Sequence, residues 1–422
     1  MANSVSSGQG GMSLTPAWLS YPLLQQLFEL ARKCGGEGRI VGGAVRDIYL
    51  AASNKIPVAE AKLSVPDIDM AVSVPIIQLS DAARAAGLAV YETGLAHGTV
   101  TIAADNRHVE VTQLRTDHDS DGRHARIEPT QSWEEDAKRR DFTINALYLD
   151  ADGRVHDPQG GLADIASGQL RFIGRAEERL AEDYLRLLRG LRLRAQYPGL
   201  WMDAADTSAM AAAIGGLSGL SAERIAAEFK LICAGTDALA IIAEIRALGV
   251  DRAIFGHEFM LSAEGAAHLS PLWGCLSFIE MLCLLTPIGQ REPLARRLKL
   301  SRREIRQAGR LDIKRNQKAV AMLGGDNWQQ AVYILSPDAL FAYGEAIAAK
   351  QIALDGVRLR HIAGFQLPAC PVKGGDIQKA FGLSGADIRT KLAELEARWV
   401  ASDFTLTTAE LLGGKGLIPK QD

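Results

Sequence analysis

Asp67-Ile68-Asp69 has the spacing at which strand side chains share a face, so two carboxylates stand side by side while Ile68 turns to the core. Like charges that close repel strongly unless a cation lies between them. Upstream, Gly42-Gly43 follow the short apolar strand Arg39-Ile40-Val41 and remove the side chains that keep a backbone from closing on a ligand. The next segment, Ala44 to Leu50, has helical spacing. Its N-terminal amides face the same opening, and Arg46 lies one turn in, within reach of an anion. Together these features describe a site for Mg²⁺ and a nucleoside triphosphate, in which hard oxygen ligands hold two metals about 3.5–4 Å apart for in-line phosphoryl transfer.

Either half alone is ordinary, since a Gly-Gly turn is usually only a turn and Asp-x-Asp usually a solvated strand end. Their order and separation carry more. GGAVRD (42–47) followed downstream by PDIDMAVS (66–73) resembles the head domain of the polymerase-β-like nucleotidyltransferases, specifically the family of CCA-adding enzymes and bacterial poly(A) polymerases. The stretch RRDFTINALY (139–148) is similar to the family signature nearly letter for letter, and HDPQGGLADI (156–165) resembles the loop that leaves the head. The resemblance is specific from Arg39 to Glu228 and looser to the C-terminus.

In that setting Arg140 can pair with a triphosphate, Asp141 can fix that arginine or the sugar, and Asn145 lies one helical turn on from Asp141. Glu134, Glu135 and Asp136 just before suit a helix start. Residues 178–196 read as one basic amphipathic helix, with Leu187, Leu188, Leu191 and Leu193 on its covered side. Glu182-Asp183-Tyr184-Leu185-Arg186 resembles the family's nucleotide-selecting EDxxR motif, and Arg189 and Arg192 continue its three-residue step along an inclined ridge. Asp183 accepts and Arg186 donates hydrogen bonds, which suits the edge of a base. Salt bridges within the helix are the plainer reading of the same residues. Ser221 has the look of an N-cap ahead of the run to Glu228, a segment that supports the nucleotide-reading helix. Glu110, on a later strand, offers a third carboxylate near Asp67 and Asp69.

One motif points elsewhere. Asp117 to Glu128 satisfies the calcium-loop pattern, but a strand precedes it, Pro129 follows, and Arg123, His124 and Arg126 put positive charge inside it. It reads better as a flexible charged loop beside the site, matching the mobile loop that family members carry there.

With 422 residues the chain exceeds one core. Hydrophobic residues at 47% and charged residues at 23% are those of an ordinary globular protein, and no apolar run approaches a membrane span. The Ser/Gly-rich start lacks the basic and apolar regions of a signal peptide, so residues 1–20 read as a disordered tail of a cytoplasmic protein. Five scattered cysteines without CxxC spacing indicate neither disulfides nor zinc. A net charge of −3 argues against a protein that coats nucleic acid by bulk charge. Between Arg291 and Arg315, however, ten basic residues face only Glu292, Glu304 and Asp312, a face that can hold phosphates if it is not simply solvated.

The alternation of strands and helices up to residue 165 gives a mixed sheet of about five strands, and everything after is helical. The expected fold class is α+β, with a nucleotidyltransferase head at 21–165 and all-α neck, body and tail at 166–240, 241–335 and 336–422. The resemblance implies template-independent addition of C, C and A to tRNA 3′ ends from CTP and ATP, with no membrane partner. Asp67 and Asp69 would bind two Mg²⁺, Gly43, Arg46 and Arg140 would cradle phosphate and sugar, and Asp183, Arg186, Arg189 and Arg192 would read the base and hold the nucleotide. The rivals are a poly(A) polymerase, disfavoured because the chain ends at Lys420-Gln421-Asp422 without a long basic extension, a partial CC- or A-adding enzyme, and a non-catalytic RNA-binding protein.

Overall fold

The computed structural model describes residues 4–8, 11–52, 67–118 and 126–413. They divide into two compact units, Met1–Glu258 and Phe259–Asp422.

The first unit begins with an antiparallel hairpin, β1 (Ser4–Gly8) and β2 (Gly11–Thr15). This corrects the expected disordered tail. Leu14 and Trp18 are 0% and 1% exposed, and the Leu14 amide donates to the Gly153 carbonyl at 2.7 Å. Two apolar side chains in a Ser/Gly-rich context were enough to dock the segment.

Helix α1 (Pro22–Lys33) starts on a proline, buries Leu23, Leu24, Leu27, Phe28 and Leu30, and ends ahead of Gly35, which takes φ +90°. Strand β3 (Gly38–Val41) leads through Gly42 into α2 (Gly43–Ala52), and β4 (Asp69–Val72) carries the second aspartate of the pair. After α3 (Ile76–Ala85), which packs on α1, come β5 (Ala89–Gly94), β6 (Thr99–Ala104) and β7 (Arg107–Gln113). The hairpin β8 (Arg115–His118) and β9 (Arg126–Pro129) flanks the calcium-like motif with strands on both sides, and the expected flexible loop within it lies outside the described residues.

Helix α4 (Trp133–Lys138), short strands β10 (Tyr148–Leu149) and β11 (Val155–His156) and α5 (Gly161–Ser167) complete the sheet and its exit. The seven-stranded mixed sheet runs β11-β10-β3-β4-β7-β6-β5. Its two-residue strands β10 and β11 were too short for an alternating pattern to reveal. The pairing that matters for the site is β4 with β7, which is parallel and sets Asp69 opposite Glu110.

The helices that follow are α6 (Ala176–Glu182), α7 (Leu185–Gln196), α8 (Ala204–Ala213) and α9 (Ala222–Cys233), with two more to Phe255. The single helix expected over 178–196 is broken. Asp183 is extended (φ −155°, ψ 104°), and its carboxylate accepts from the Leu185 amide at 3.1 Å, so the aspartate caps a new helix rather than continuing the old one. Leu187, Leu188, Leu191 and Leu193 are all fully buried, as the spacing required.

The second unit is helical from Ala263–Trp273 to Thr408–Gly413, with a core around Ile377, Leu395 and Trp399. The basic run expected as one face is divided. Arg291 is buried, donating to the carbonyls of Thr286 and Leu311 and to Glu345. Arg315 also bonds Glu345, while Arg310 pairs with Asp338 and Arg296 with Glu292. Arg302, Arg303, Arg306 and Lys314 stay exposed. No described helix is long and apolar enough to cross a membrane.

Candidate active site

Gly42 turns the chain from β3 into α2 at φ +77°, a conformation that strains any residue with a Cβ. Its amide donates to the Leu147 carbonyl and its carbonyl accepts from the Arg46 amide, so the turn is pinned on both sides. The start of α2 at Gly43 and Ala44 lines a cavity of about 820 Å³. Arg46 does not project freely into it. Its Nε donates to Asp47 (2.9 Å), Nη1 to Asn145 (2.5 Å) and Nη2 to the Tyr197 hydroxyl (2.8 Å). Burial alone would lower its pKa, but the Asp47 carboxylate more than offsets that and holds the guanidinium charged.

Asp69 sits at the cavity rim opposite Glu110. Burial, then the Glu110 and Asp67 carboxylates, push its pKa up to about 6 against the pull of Arg140 and Arg189. Asp67 departs from the side-by-side pair expected of it. Its side chain is 95% exposed and turns toward His108, 3.8 Å away. Among the described residues no three His, Cys, Asp or Glu groups are gathered as a metal site. The residues nevertheless fit a divalent cation: the Asp69 and Glu110 carboxylates stand opposite each other on paired strands, Asp67 lines the same cavity as Asp69, and an ion there would relieve the repulsion that these acids exert on Asp69 and complete its shell with phosphate and water oxygens.

The signature stretch is not one helix. α4 is capped by Ser132, whose Oγ accepts from the Glu135 amide, and ends at Lys138; Phe142 is then extended, and Thr143–Asn145 form a single 3₁₀ turn. The break drops Asp141 and Asn145 into the interior, where the expected Asp141–Arg140 pair is replaced by Asp141–Arg189 and Asp136–Arg140, and Asn145 Nδ2 donates to Asp141 Oδ1 at 3.0 Å. The same oxygen takes the Phe142 amide, and Oδ2 takes Arg189 Nε at 2.6 Å. Burial opposes ionisation, but Arg189 and these hydrogen bonds hold the Asp141 carboxyl well below the usual carboxylate range. Arg140 is clamped by the buried Asp136 (3.0 Å) and by the Tyr148 hydroxyl. Gly190 lets α7 press on this stretch, since a Cβ there would stand 3.2 Å from the Phe142 ring.

On the far wall, Arg186 donates to Glu182 and to the carbonyls of Arg179 and Arg139, so part of the plainer salt-bridge reading is realised. Asp183 gives its other oxygen to Arg224 at 2.6 Å. Glu228 on α9 faces Arg192 at 3.3 Å and Arg189 at 4.0 Å; burial raises its pKa and lowers that of Arg192.

Of the residues singled out in the sequence, Gly43, Arg46, Asp67, Asp69, Arg140, Asp183, Arg186, Arg189 and Arg192 line this one cavity, while Glu110 lines a smaller one that shares Asp69 and Arg140. Sequence reasoning missed Arg224 and Tyr197 on its wall and Asp136 behind it. Arg224 carried a faint signal, the Ser221 cap that starts its helix three residues earlier; Tyr197 carried none.

Comparison with known proteins places this geometry in context. A model described as "Poly A polymerase head domain" matches residues 38–171. The mouse protein "CCA tRNA nucleotidyltransferase 1, mitochondrial" is 32% identical over 401 residues, 92% of this chain and 88% of its own. A CCA-adding enzyme of Listeria monocytogenes is 34% identical over 216 residues, 51% of this chain and 50% of its own. The crystal structure of the Bacillus stearothermophilus CCA-adding enzyme in complex with CTP superposes with a TM-score of 0.69 over 91% of this chain and 94% of that one, at 23% identity.

Proposed function

Because the chain belongs to the CCA tRNA nucleotidyltransferase family, we propose that it adds C, C and A in turn to the 3′ end of tRNA, taking CTP and ATP without a template and releasing pyrophosphate. The observation that carries this reading is that the Asp69 rim and the Asp183 and Arg186 wall face one cavity, so one nucleotide can present its phosphates to the first and its base to the second.

We assign the carboxylates of Asp67 and Asp69, with Glu110 across the strand pair, to divalent metal, and Mg²⁺ as that metal. Bound there, such ions supply Lewis-acid activation of the primer hydroxyl and neutralise the triphosphate and departing pyrophosphate. Gly43 offers its backbone to the phosphates at the start of α2, with Arg46 and Arg140 supplying fixed positive charge beside it. Asp183 accepts and Arg186 donates toward the base edge, with Arg189 and Arg192 holding the nucleotide from the same helix. Residues 21–165 we take as the catalytic head, 166–240 as the nucleotide-selecting neck, 241–335 as the body and 336–422 as the RNA-binding tail. A cytoplasmic location is part of the same proposal, and cell fractionation tests it.

The deciding experiment gives purified protein and Mg²⁺ three tRNA transcripts, ending before CCA, after C and after CC, each with labelled CTP, ATP or both. Addition of C, C and A that then stops is the expected result. A long A tail from ATP alone, with CTP ignored, would make the chain a poly(A) polymerase. No incorporation at all would leave only RNA binding.

A further inference from the structure

Tyr197 closes the C-terminal end of α7 and is fully buried. Its hydroxyl donates to Asp47 Oδ1 at 2.7 Å and accepts from Arg46 Nη2 at 2.8 Å, and the Arg46 guanidinium carbon lies 4.8 Å from its ring centroid. Arg46 and Asp47 belong to α2, the helix that begins at the glycine turn. One phenol therefore ties the helix bearing Arg186, Arg189 and Arg192 to the helix that faces the phosphates.

A second route joins the same two helices. Arg46 reaches Asn145 at 2.5 Å, Asn145 reaches Asp141 at 3.0 Å, and Asp141 reaches Arg189 at 2.6 Å. Tyr197 and Arg189 thus meet Arg46 by two paths from two points along α7, a closed ring of polar groups buried but for Arg189. Such a ring rigidifies what it joins, because breaking any link leaves a buried group unpaired. A nucleotide with its base on α7 and its triphosphate at the glycine turn spans the distance this ring fixes.

We propose that Tyr197 is a positioning residue that registers the base-reading helix against the phosphate site, so that a correctly read base brings the α-phosphate to the metal rim. The proposal rests on the functional reading given above. A wrong base gains nothing from the register, since it makes no productive contact with α7 and its phosphates are placed only by the rest of the cavity. Phenylalanine fills the same volume but cannot make the link.

The test is Tyr197→Phe in the full chain, with steady-state incorporation of CTP, ATP, UTP and GTP onto tRNA ending before CCA and after CC. Losing both hydrogen bonds to charged groups, while Arg46 and Asp47 keep each other, should lower kcat/KM for the correct nucleotide about tenfold, mainly in kcat. UTP and GTP misincorporation should stay unchanged, so discrimination falls with it. In an Asp183→Ala background, where the base is no longer read, Tyr197→Phe should take away no further discrimination. A merely structural tyrosine would slow all four nucleotides equally and leave discrimination intact in both backgrounds, and that result overturns the proposal. If Tyr197→Phe does not fold, Tyr197→Met removes the hydroxyl while leaving the Arg46–Asp47 pair in place, and is read the same way. Wild-type enzyme in the same assay separates the two levels: no addition of C, C and A defeats the functional reading, whereas normal addition with undiminished discrimination in the variant defeats only the coupling.

Discussion

Removing the Asp141 carboxylate should cost far more than removing its charge. Three donors converge on this buried side chain: the Phe142 amide at 2.8 Å, Asn145 Nδ2 at 3.0 Å and Arg189 Nε at 2.6 Å. Asp141→Ala strands all three. Arg189 is one-third exposed and has Glu228 at 4.0 Å, so solvent and a second acid recover part of its loss. With the amide and the Asn145 side chain left unpaired in the interior, the sum is about 3–5 kcal/mol. Asp141→Asn keeps an oxygen for two of the donors and should cost about 1–2 kcal/mol. Equilibrium urea unfolding gives the totals, and hydrogen exchange on peptides covering residues 139–148 shows whether the loss is local. The same carboxyl carries a pH signature. Its folded pKa is depressed, so its contribution is present above the unfolded value near 4 and is lost as pH falls below it; Asp141→Asn should flatten that acid limb. An alanine variant within about 1 kcal/mol of wild type, or an asparagine variant as damaged as alanine, would refute the accounting of donors.

Three other outcomes follow from the cavity. Asp67→Ala should abolish incorporation yet leave the thermal midpoint unchanged, because the side chain is 95% exposed; a variant that keeps substantial activity would remove Asp67 from the metal rim. Arg224 holds the Asp183 carboxylate proposed to read the base, through a pair that is 47% and 32% exposed, so Arg224→Ala should alter stability by less than about 1 kcal/mol while the KM for CTP falls. A rise in that KM would show the arginine to be a ligand for the nucleotide instead. With the Asp69 pKa pushed up to about 6, protons would compete with a metal held there as proposed, and the Mg²⁺ concentration for half-maximal activity should be several-fold higher at pH 5.5 than at pH 7.5; a flat Mg²⁺ requirement across that range contradicts the assignment.

What the sequence made legible was local. The glycine turn, Asp69 on its strand, the leucine face of α7 and the Ser221 cap each follow from a short pattern with one physical cause. What it hid was set by partners distant in the chain or by competition at a single residue. Helical periodicity runs unbroken through Asp183, yet its carboxylate prefers the Leu185 amide and ends one helix to start another. The basic run from 291 to 315 looked unpaired because its acids, Asp338 and Glu345, lie beyond it. Tyr197 is silent in the sequence because a tyrosine after a leucine-rich helix reads as core, and only the fold brings its hydroxyl to Arg46.

The pairings around the cavity bear directly on how it can work. Among the described residues, eight arginines and five aspartates line it, an imbalance that suits a triphosphate. So many cations in one space would repel and swing apart if each were held only by its own stem. Instead each of four is fixed from behind or beside: Arg46 by Asp47, Arg140 by Asp136, Arg186 by Glu182 and Arg189 by Asp141. The acids that sequence reasoning would count as cancelling the arginines are the groups that aim them. A lining aimed before the nucleotide arrives needs no reorganisation as charge develops on the departing pyrophosphate, which is the condition under which fixed charges lower a barrier most.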